Sequence, residues 1–417
     1  MIKASILTIG DEICIGQVVN TNASWIANEM TKLGYKVNLH SIIGDEESIL
    51  IKELKRLLKE TDIIIMTGGL GPTHDDITKP TLTKFFKDSL LLNRELLIEL
   101  EDRFSKRGLK FTERNKEQAL VPTKAKILKN ELGTAPGLWF DYKNKIIVAL
   151  PGVPSEMKYI MINSVIPLLK EKIISERQSV LLFKNLNTTG IPESYLADMI
   201  GDTKLFLGDG SLAFLPSYKG VRLRVGIEGV DFENAKEKLE VIIKYLKTKI
   251  GKYIYSEEDE SIASVVGRIL NDRGKTLSVA ESCTAGLLGA EITTVSGSSK
   301  YFIGGVQVYS NEAKISILNV KADIIEKYGA VSEQTALELA KNVRLLFNTD
   351  YSISITGIAG PTGGSEEKPV GTVFIGISDE SVNFANKYYF SKDRQINRER
   401  AVGTALTLLY KHLMGII

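Results

Sequence analysis

Short apolar segments alternate with longer amphipathic segments along the first third of the chain, and this alternation restricts the fold more than any other feature. ASILTIG and DIIIMTGG have the length and apolar content of buried strands, and each runs into a glycine. TNASWIANEMTKLG and ESILIKELKRLLKE have the apolar spacing of helices. Alternating strands and helices are typical of a doubly wound α/β fold with a parallel sheet.

The same alternation returns in the last third of the chain. TLSVA and YSISITG are strand-like, SEQTALELAKNVRLLF is helix-like, and a final helix is predicted from about Arg394 to Met414. The region between the two α/β parts combines the alternating segment GVRLRVGIEG with a helix-like segment, as expected of a small α+β module.

These changes of pattern predict several domains in a chain of 417 residues, which is too long for one core of usual size. We predict a doubly wound α/β domain over residues 1–168, a small α+β domain over 175–254 and a second α/β domain over 258–417.

Composition argues against several classes of function. The 53 basic and 51 acidic residues nearly cancel, so charge does not favour nucleic acid or a membrane as the main partner, and a small-molecule substrate fits better. Cys14 and Cys283 lie far apart without a CxxC pair, which argues against a disulfide framework or a zinc site. The N-terminus lacks a signal-peptide pattern, and no apolar run approaches membrane-spanning length. We therefore expect a soluble cytoplasmic protein.

Acidic, glycine-rich turns follow two predicted strands of the N-terminal region: GDE follows the first strand and GGLGPTHDD the third. Because ligands in such sheets bind at the carboxyl ends of strands, both turns should face one ligand. Glycines let backbone N–H groups approach an anion, and carboxylates beside a phosphate require a hard cation between them. The candidate metal ligands are Asp11, Glu12, Asp75 and Asp76. His74 would favour a softer metal, and a plain turn with a capping Asp is the alternative.

Polar residues of the C-terminal region concentrate in four segments, AESCTAGLL, SGSSKYF, VYSNEAK and TGIAGPTGG. Ser282 follows a strand-like segment and is a candidate nucleophile, which requires a base. Of three histidines only His412 lies beyond residue 74, so the base must come from another residue type. Tyr309 and Lys314 are candidates if the lysine is desolvated enough to be neutral and shares a hydrogen-bond network with the tyrosine.

Other interpretations of these segments stay open. Ser282 would also suit the N-cap of a following helix, and Cys283 would compete as a nucleophile if a helix N-terminus lowered its pKa. The scarcity of histidine argues against a nucleophilic Cys283 and favours a small, buried side chain that only packs. TGIAGPTGG offers backbone N–H groups to a phosphate or oxyanion, or it forms a surface loop. Arg394 and Arg398 offer countercharge to a phosphate, or they lie on a solvated face.

Spaced motifs along nearly the whole chain resemble the CinA (competence/damage-inducible protein A) family. TGGLGPTHDD, NKEQAL, GTAPG and LPGVPSEM are similar to its N-terminal molybdopterin-binding-like domain. VAESCTAGLL, VSGSSKYF, YSNEAK, TGIAGPTGG and RQINR resemble its C-terminal domain, the nicotinamide mononucleotide amidohydrolase family. The middle region corresponds to the KH-like domain of full-length members, although it shows no clear GXXG loop and no basic cluster for nucleic acid.

For the N-terminal domain the resemblance implies a metal-dependent pyrophosphatase acting on ADP-ribose. The acidic residues would bind Mg²⁺, Mn²⁺ or Co²⁺, with or without K⁺. The residues implied to bind the substrate are Gly68, Gly69, Gly71, Asn115 and Gly152. Because molybdenum-cofactor enzymes share this fold, a pterin carrier or adenylyltransferase is the alternative.

For the C-terminal domain the resemblance implies that Ser282 attacks the carboxamide carbon of nicotinamide mononucleotide without a cofactor. The residues implied to handle protons are Tyr309, Lys314 and Ser299, and those implied to bind substrate are Thr356, Gly357, Ala359, Gly360 and Arg398. Ala285 departs from the family's usual glycine and could crowd the substrate. The family also implies a homodimer, and the alternative function is a competence-linked regulatory protein without turnover.

Overall fold

A computed structural model describes residues 2–176 and 180–417. The chain divides into two compact units, residues 1–183 with 227–238 and residues 184–226 with 239–417. The N-terminal region lies in the first unit, the C-terminal region lies in the second, and the middle region contributes residues to both. Within the described residues, no helix combines the length and apolar character needed to cross a membrane.

The N-terminal region is a six-stranded sheet with packed helices. Its strands are β1 (Lys3–Ile9), β2 (Lys36–Ile43), β3 (Ile63–Thr67), β4 (Leu90–Leu92), β5 (Leu120–Pro122), β6 (Lys126–Leu128), β7 (Gly137–Tyr142) and β8 (Lys145–Leu150). Its helices are α1 (Asp11–Cys14), α2 (Thr21–Lys32), α3 (Glu47–Glu60), α4 (Thr78–Phe85), α5 (Arg94–Lys106), α6 (Glu113–Glu117), α7 (Pro154–Ile160) and α8 (Ile166–Glu176). The sheet order is β2-β1-β3-β8-β7-β6, and β4 and β5 form a separate pair.

The centre of this sheet is parallel, as predicted, because β1 pairs in parallel with β2 and β3, and β3 does so with β8. Every residue of β3 is buried, as expected of a strand that is covered on both faces. β7 and β6 run antiparallel to their neighbours instead. Lys143 and Asn144, with φ of 49° and 62°, make the tight turn from β7 to β8, so this edge is a hairpin rather than a crossover.

The middle region is a small four-stranded sheet with two α-helices, in agreement with the predicted α+β class. Its elements are β9 (Val180–Thr188), α9 (Glu193–Ile200), β10 (Ser211–Ser217), β11 (Gly220–Gly229), α10 (Phe232–Ile250) and β12 (Ile254–Ser256). The sheet order is β10-β11-β9-β12.

The C-terminal region is a five-stranded mixed sheet with packed helices. Its strands are β13 (Leu277–Glu281), β14 (Phe302–Gln307), β15 (Tyr351–Gly357), β16 (Thr372–Ser378) and β17 (Asn383–Tyr389). Its helices are α11 (Ile262–Asp272), α12 (Leu287–Thr293), α13 (Asn311–Leu318), α14 (Ala322–Tyr328), α15 (Glu333–Phe347) and α16 (Arg394–Leu413). The order is β14-β13-β15-β16-β17, with β13 parallel to both neighbours, and α16 confirms the predicted final helix.

β15 alternates isoleucine with hydroxyl residues, yet its residues 352–356 are all buried. Ser352 Oγ donates to the Ala340 carbonyl at 2.6 Å. Ser354 Oγ donates to the Ala336 carbonyl at 2.6 Å, one turn earlier in α15. These bonds satisfy hydroxyls that would otherwise be costly to bury. The strand is thereby fixed against α15, and its carboxyl end lies beside that of β13.

Candidate active sites

Ser282 and Lys314 form a buried pair at the carboxyl end of β13. Ser282 follows the last residue of that strand and is 7% exposed, and Lys314 on α13 is 1% exposed. The Lys314 Nζ lies 3.1 Å from the Ser282 Oγ. The same Nζ donates to the carbonyls of Val308 at 2.8 Å and Tyr309 at 3.2 Å. Burial lowers the pKa of Lys314 below its ordinary value.

The neighbouring strands place this pair. The Ser282 N–H donates to the Ile355 carbonyl at 2.9 Å, and the Val308 N–H donates to the Glu281 carbonyl at 2.8 Å. Ser310 then caps α13, since its side chain accepts from the Ala313 N–H. Because β14 ends beside β13 and α13 starts at once, Lys314 is directed back to the serine.

The partners of Lys314 are the Ser282 hydroxyl and backbone carbonyls, which include that of Ser310 at 3.5 Å. A neutral amine has two N–H donors and one lone pair, whereas an ammonium has three donors. When burial holds the amine neutral, its two N–H groups can stay bonded to the Val308 and Tyr309 carbonyls while its lone pair is turned to the Ser282 hydroxyl. Lys314 can then accept the serine proton, which is the role of a base in nucleophilic catalysis.

Tyr309 does not share a side-chain network with Lys314, contrary to expectation. Its side chain is 60% exposed, and its hydroxyl accepts from Arg394 Nη2 at 3.1 Å. Arg394 Nη1 also donates to the Gly360 carbonyl at 2.8 Å. Lys314 is bonded to the backbone carbonyl of Tyr309 instead. Arg394, which the sequence suggested as a phosphate ligand or as a residue of a solvated face, thus links Tyr309 to the loop after β15.

Ser299 is not brought to the pair. It is exposed within the short 3-10 turn Ser298–Lys300, and no hydrogen bond between described residues links it to Ser282 or Lys314. Its expected part in proton transfer therefore stays a prediction.

The predicted substrate loop after β15 lies on the same side as Ser282. Thr356 is buried with its hydroxyl bonded to the Ala330 carbonyl, so its side chain holds the strand end. Ala359 is buried as well, and its carbonyl accepts from Asn397 Nδ2 of α16 at 2.9 Å. Gly357 closes β15, and Gly360 is held by Arg394. Helix α16 therefore anchors the loop on which the sequence placed the substrate.

Arg398 contacts the turn that carries Ser282, since its Nη2 donates to the Thr284 carbonyl at 2.9 Å. Arg398 Nε and Thr284 Oγ1 are both buried, and neither has a hydrogen-bond partner among the described residues. Buried polar atoms without partners are costly and uncommon. Their position beside Ser282 marks this turn as a place where a polar ligand would add hydrogen bonds.

Cys283 is excluded as a reactive thiolate. Its side chain is buried, and burial raises the pKa of its thiol to about 12. A thiol with that pKa stays protonated near neutral pH and is a poor nucleophile. The expectation of a small buried cysteine is confirmed.

Ser282 does not cap a helix. α12 begins at Leu287 with Gly286 as its N-cap, and among the described residues the Ser282 side chain is not bonded to an N–H group of that helix. Ala285 precedes that glycine in the left-handed region at φ 49°, where residues other than glycine are strained. Its side chain is exposed, so its methyl group imposes backbone strain and is directed away from the packed core.

The N-terminal region contains a second site, a cleft of about 490 Å³ at the carboxyl edge of its sheet. The predicted residues that line it are Glu12, Gly68, Gly69, Gly71, Asp75, Asp76 and Gly152. Gly68 has φ 108°, and a Cβ there would lie 2.1 Å from the Ile9 carbonyl, so only glycine permits this approach of the turn to β1.

Three predicted N-terminal residues have structural roles. Asp76 accepts from the backbone N–H groups of Gly71 at 2.7 Å and Thr73 at 2.8 Å, which closes the glycine turn. Asn115 belongs to a capping box with Thr112 and does not line the cleft. Asp11 also lies off the cleft lining, where its carboxylate accepts from the Asp45 N–H at 3.2 Å.

Asp45 is an acidic cleft residue that sequence reasoning missed. It follows β2 in a second GDE, Gly44–Glu46, which repeats the GDE after β1 and was the available signal. Its carboxylate accepts from the Asp11 N–H at 3.0 Å. Burial, followed by the charges of Asp11, Glu12 and Asp75, raises the pKa of Asp45 despite that bond. The cleft therefore has a negative field that a cation would relieve.

The carboxylates of this cleft do not form a complete metal cage. Among the described residues, no group of three or more His, Cys, Asp or Glu side chains is arranged to hold a metal ion. His74 is almost fully exposed and pairs with Asp75 at 2.6 Å. An ion in this cleft would have to take further oxygen ligands from a phosphate or from water, as Mg²⁺ commonly does.

Comparisons with known proteins agree with the order of the three regions. The chain matches the families described as "Probable molybdopterin binding domain" over residues 5–171, "Damage-inducible protein CinA KH domain" over 183–256 and "CinA C-terminal domain" over 259–413. The predicted resemblance and three-domain fold are thereby confirmed.

Similar proteins extend over the full chain. A CinA-like protein of Flavobacterium psychrophilum is 40% identical over 421 aligned residues, which cover 99% of each chain. A CinA-like protein of Cytophaga hutchinsonii is 39% identical and covers 100% of this chain and 99% of its own. A solved structure of a CinA superfamily protein from Klebsiella pneumoniae is 32% identical over 37% of this chain and 96% of that chain, with a TM-score of 0.36. From its full-length relatives and its three matching domains, the chain belongs to the CinA-like family.

Proposed function

We propose that the C-terminal domain hydrolyses the carboxamide of nicotinamide mononucleotide to nicotinic acid mononucleotide and ammonia. The observation that carries this proposal is the buried contact of 3.1 Å between Lys314 Nζ and Ser282 Oγ. A serine beside a desolvated lysine is an activated nucleophile of the kind used in acyl transfer. The nearly balanced charge of the chain agrees with a small-molecule substrate.

The reaction follows from what each group can do. The Ser282 oxygen bonds to the carboxamide carbon while its proton passes to Lys314. Lys314 then returns that proton to the departing nitrogen, the C–N bond breaks, and ammonia leaves an acyl-serine. Water next bonds to the acyl carbon while Lys314 accepts one of its protons. The carbon–Oγ bond then breaks as Lys314 gives that proton to Oγ, which releases the carboxylic acid and restores Ser282.

The surrounding groups suit the rest of the substrate. Arg398 and the loop at Gly360 provide a cation and backbone groups near the serine, which fit a nucleotide phosphate. Arg394 holds Tyr309 at the edge of this site, so the tyrosine would act on the bound substrate rather than through Lys314.

For the N-terminal domain we infer a metal-dependent ADP-ribose pyrophosphatase. The glycine turn would bind the pyrophosphate, and a divalent ion beside it would take one or two ligands from Glu12, Asp45 and Asp75 and the others from phosphate oxygens and water. That ion would neutralise phosphate charge when bound. Burial and then the neighbouring carboxylates raise the pKa of Asp45, and a cation beside these carboxylates would relieve their repulsion, which supports this assignment.

A second candidate for the N-terminal domain is binding of a pterin cofactor. It is favoured by the match over residues 5–171 to a family described as a probable molybdopterin binding domain. Stronger binding of molybdopterin than of ADP-ribose, measured by titration of the full chain, would favour it over hydrolysis.

The test is incubation of the full chain with nicotinamide mononucleotide or ADP-ribose, with Mg²⁺ or with a chelator, and chromatographic separation of the products. We expect ammonia release to be independent of metal, and ADP-ribose cleavage to require it. Ser282→Ala should abolish ammonia release and leave ADP-ribose cleavage intact, so that the second activity reports a folded chain. Normal deamidation by this variant would refute the serine assignment.

A further inference from the structure

Glu281, the residue before the proposed nucleophile, has a buried carboxylate whose hydrogen bonds within the described residues all come from backbone N–H groups. It is 2% exposed, although it ends a strand that runs into a glycine-containing turn. Its Oε2 accepts from the N–H groups of Gly286 and Leu288, at 3.0 Å each. Its Oε1 accepts from the Gly289 N–H at 2.8 Å. A buried carboxylate is costly unless its oxygens are bonded in this way.

These three bonds fasten both ends of the turn that carries Ser282. The backbone of Glu281 is fixed in the sheet, because its carbonyl accepts from Val308. Its side chain reaches over the turn and takes the N–H groups at the start of α12. Ser282 therefore lies on a short loop closed by a residue of β13, which limits the positions open to its Oγ.

The same bonds decide which groups can stabilise charge on the substrate. The free N–H groups at the start of a helix would ordinarily favour an anion there. At α12 they are already bonded to Glu281. In the described part of the chain, by contrast, no oxygen accepts from the N–H of Cys283 or Thr284. The Cys283 N–H contacts the sulfur of its own side chain, which is a weak acceptor, so both amides can bond to the oxyanion of a tetrahedral intermediate beside Ser282.

We propose that Glu281 is a positioning residue: its carboxylate holds the turn so that Ser282 Oγ faces Lys314 and the Cys283 and Thr284 amides face the developing oxyanion. This inference rests on the proposed function of Ser282. It assigns Glu281 no contact with substrate. The prediction is a loss in the chemical step with little effect on substrate binding, because small misplacements of a nucleophile lower its rate strongly.

The test compares Glu281→Gln with a matched variant, Asp350→Asn. Asp350 also accepts a backbone N–H, from Thr276 at 2.8 Å, but Thr276 precedes β13 at the end opposite to Ser282. For both full-length variants, three quantities are measured: kcat and KM with nicotinamide mononucleotide, the thermal midpoint, and the rate of labelling by a fluorophosphonate. In the labelling reaction the Ser282 Oγ–P bond forms, the P–F bond breaks, fluoride leaves and the hydroxyl proton passes to Lys314.

We expect Glu281→Gln to lower kcat and the labelling rate by about 10–100-fold with KM changed less than about threefold. The labelling rate of this variant should keep the pH midpoint of the wild type, because Lys314 and its partners are unchanged. Asp350→Asn should lower the thermal midpoint and leave both rates within about twofold of wild type. If Glu281→Gln does not fold, Glu281→Asp takes its place: it retains the charge but is too short to reach all three amides, so kcat and the labelling rate should still fall below those of the wild type.

Wild-type rates in a folded Glu281 variant would overturn the positioning role. The positioning role would also be overturned if the Glu281 and Asp350 variants both lost rate in proportion to the decrease in their thermal midpoints. If the wild-type chain does not deamidate the mononucleotide, the proposed function fails, but the labelling comparison still decides whether Glu281 positions Ser282.

Discussion

Replacement of Lys314 by methionine should remove the base and keep most of the side-chain volume. General bases contribute about 10²–10⁴-fold to a rate. At about 1.36 kcal/mol for each factor of ten, the expected loss is ~3–5 kcal/mol of transition-state stabilisation. This range applies to Lys314 because, among the described residues, it is the side chain that bonds to the Ser282 hydroxyl.

The assay is kcat/KM for ammonia release as a function of pH. Burial lowers the pKa of Lys314, and the neutral amine is the active form. The wild-type rate should therefore rise with pH and level off below the ordinary lysine pKa of about 10.4. Lys314→Met should lack that rise. Stability should also rise with pH. Between the pKa of Lys314 in the folded chain and its higher pKa in the unfolded chain, the unfolded chain binds more protons, so the free energy of unfolding increases with pH.

A double variant tests whether Lys314 and Ser282 act in the same catalytic step. Groups that act in one step are strongly non-additive, so Ser282→Ala with Lys314→Met should lose little more than Ser282→Ala alone. ADP-ribose cleavage by the same preparations controls for folding. A Lys314→Met rate within tenfold of wild type, or losses that multiply in the double variant, would refute the assignment of Lys314 as the base.

Two further predictions concern the nucleophile turn. Cys283→Ala should retain deamidation within about threefold, because its thiol is buried and protonated, and should lower the free energy of unfolding by about 1 kcal/mol; loss of activity without loss of folding would restore Cys283 as a candidate nucleophile. Ala285→Gly should relieve a backbone strain of roughly 1–2 kcal/mol in the left-handed region. The greater entropy of glycine in the unfolded chain offsets part of this, so the free energy of unfolding should increase by about 0.5–1 kcal/mol. A denaturant titration measures that gain, and a less stable glycine variant would show that Ala285 is not strained.

Periodicity in the sequence was sufficient to predict most of the fold. β15 and α16 lie where the patterns placed them, because buried strands and amphipathic helices are specified by local apolar spacing. The hairpin of β7 and β8 was less visible, since its turn consists of Lys143 and Asn144 without a glycine. Ser282 and Lys314 were predicted together because their motifs and the lack of histidine left few alternatives.

Only the tertiary structure decided how the groups around these residues are used. Glu281 and Ser282 are adjacent in sequence, yet the Glu281 carboxylate bonds to the start of α12 while the Ser282 side chain faces Lys314. Arg394 reaches Tyr309 across a large separation in sequence, and Asp45 faces Asp11 through the pairing of β2 with β1. Local patterns specify which face of an element is apolar, but hydrogen bonds between distant elements depend on strand order, register and side-chain direction, which form only when the chain packs.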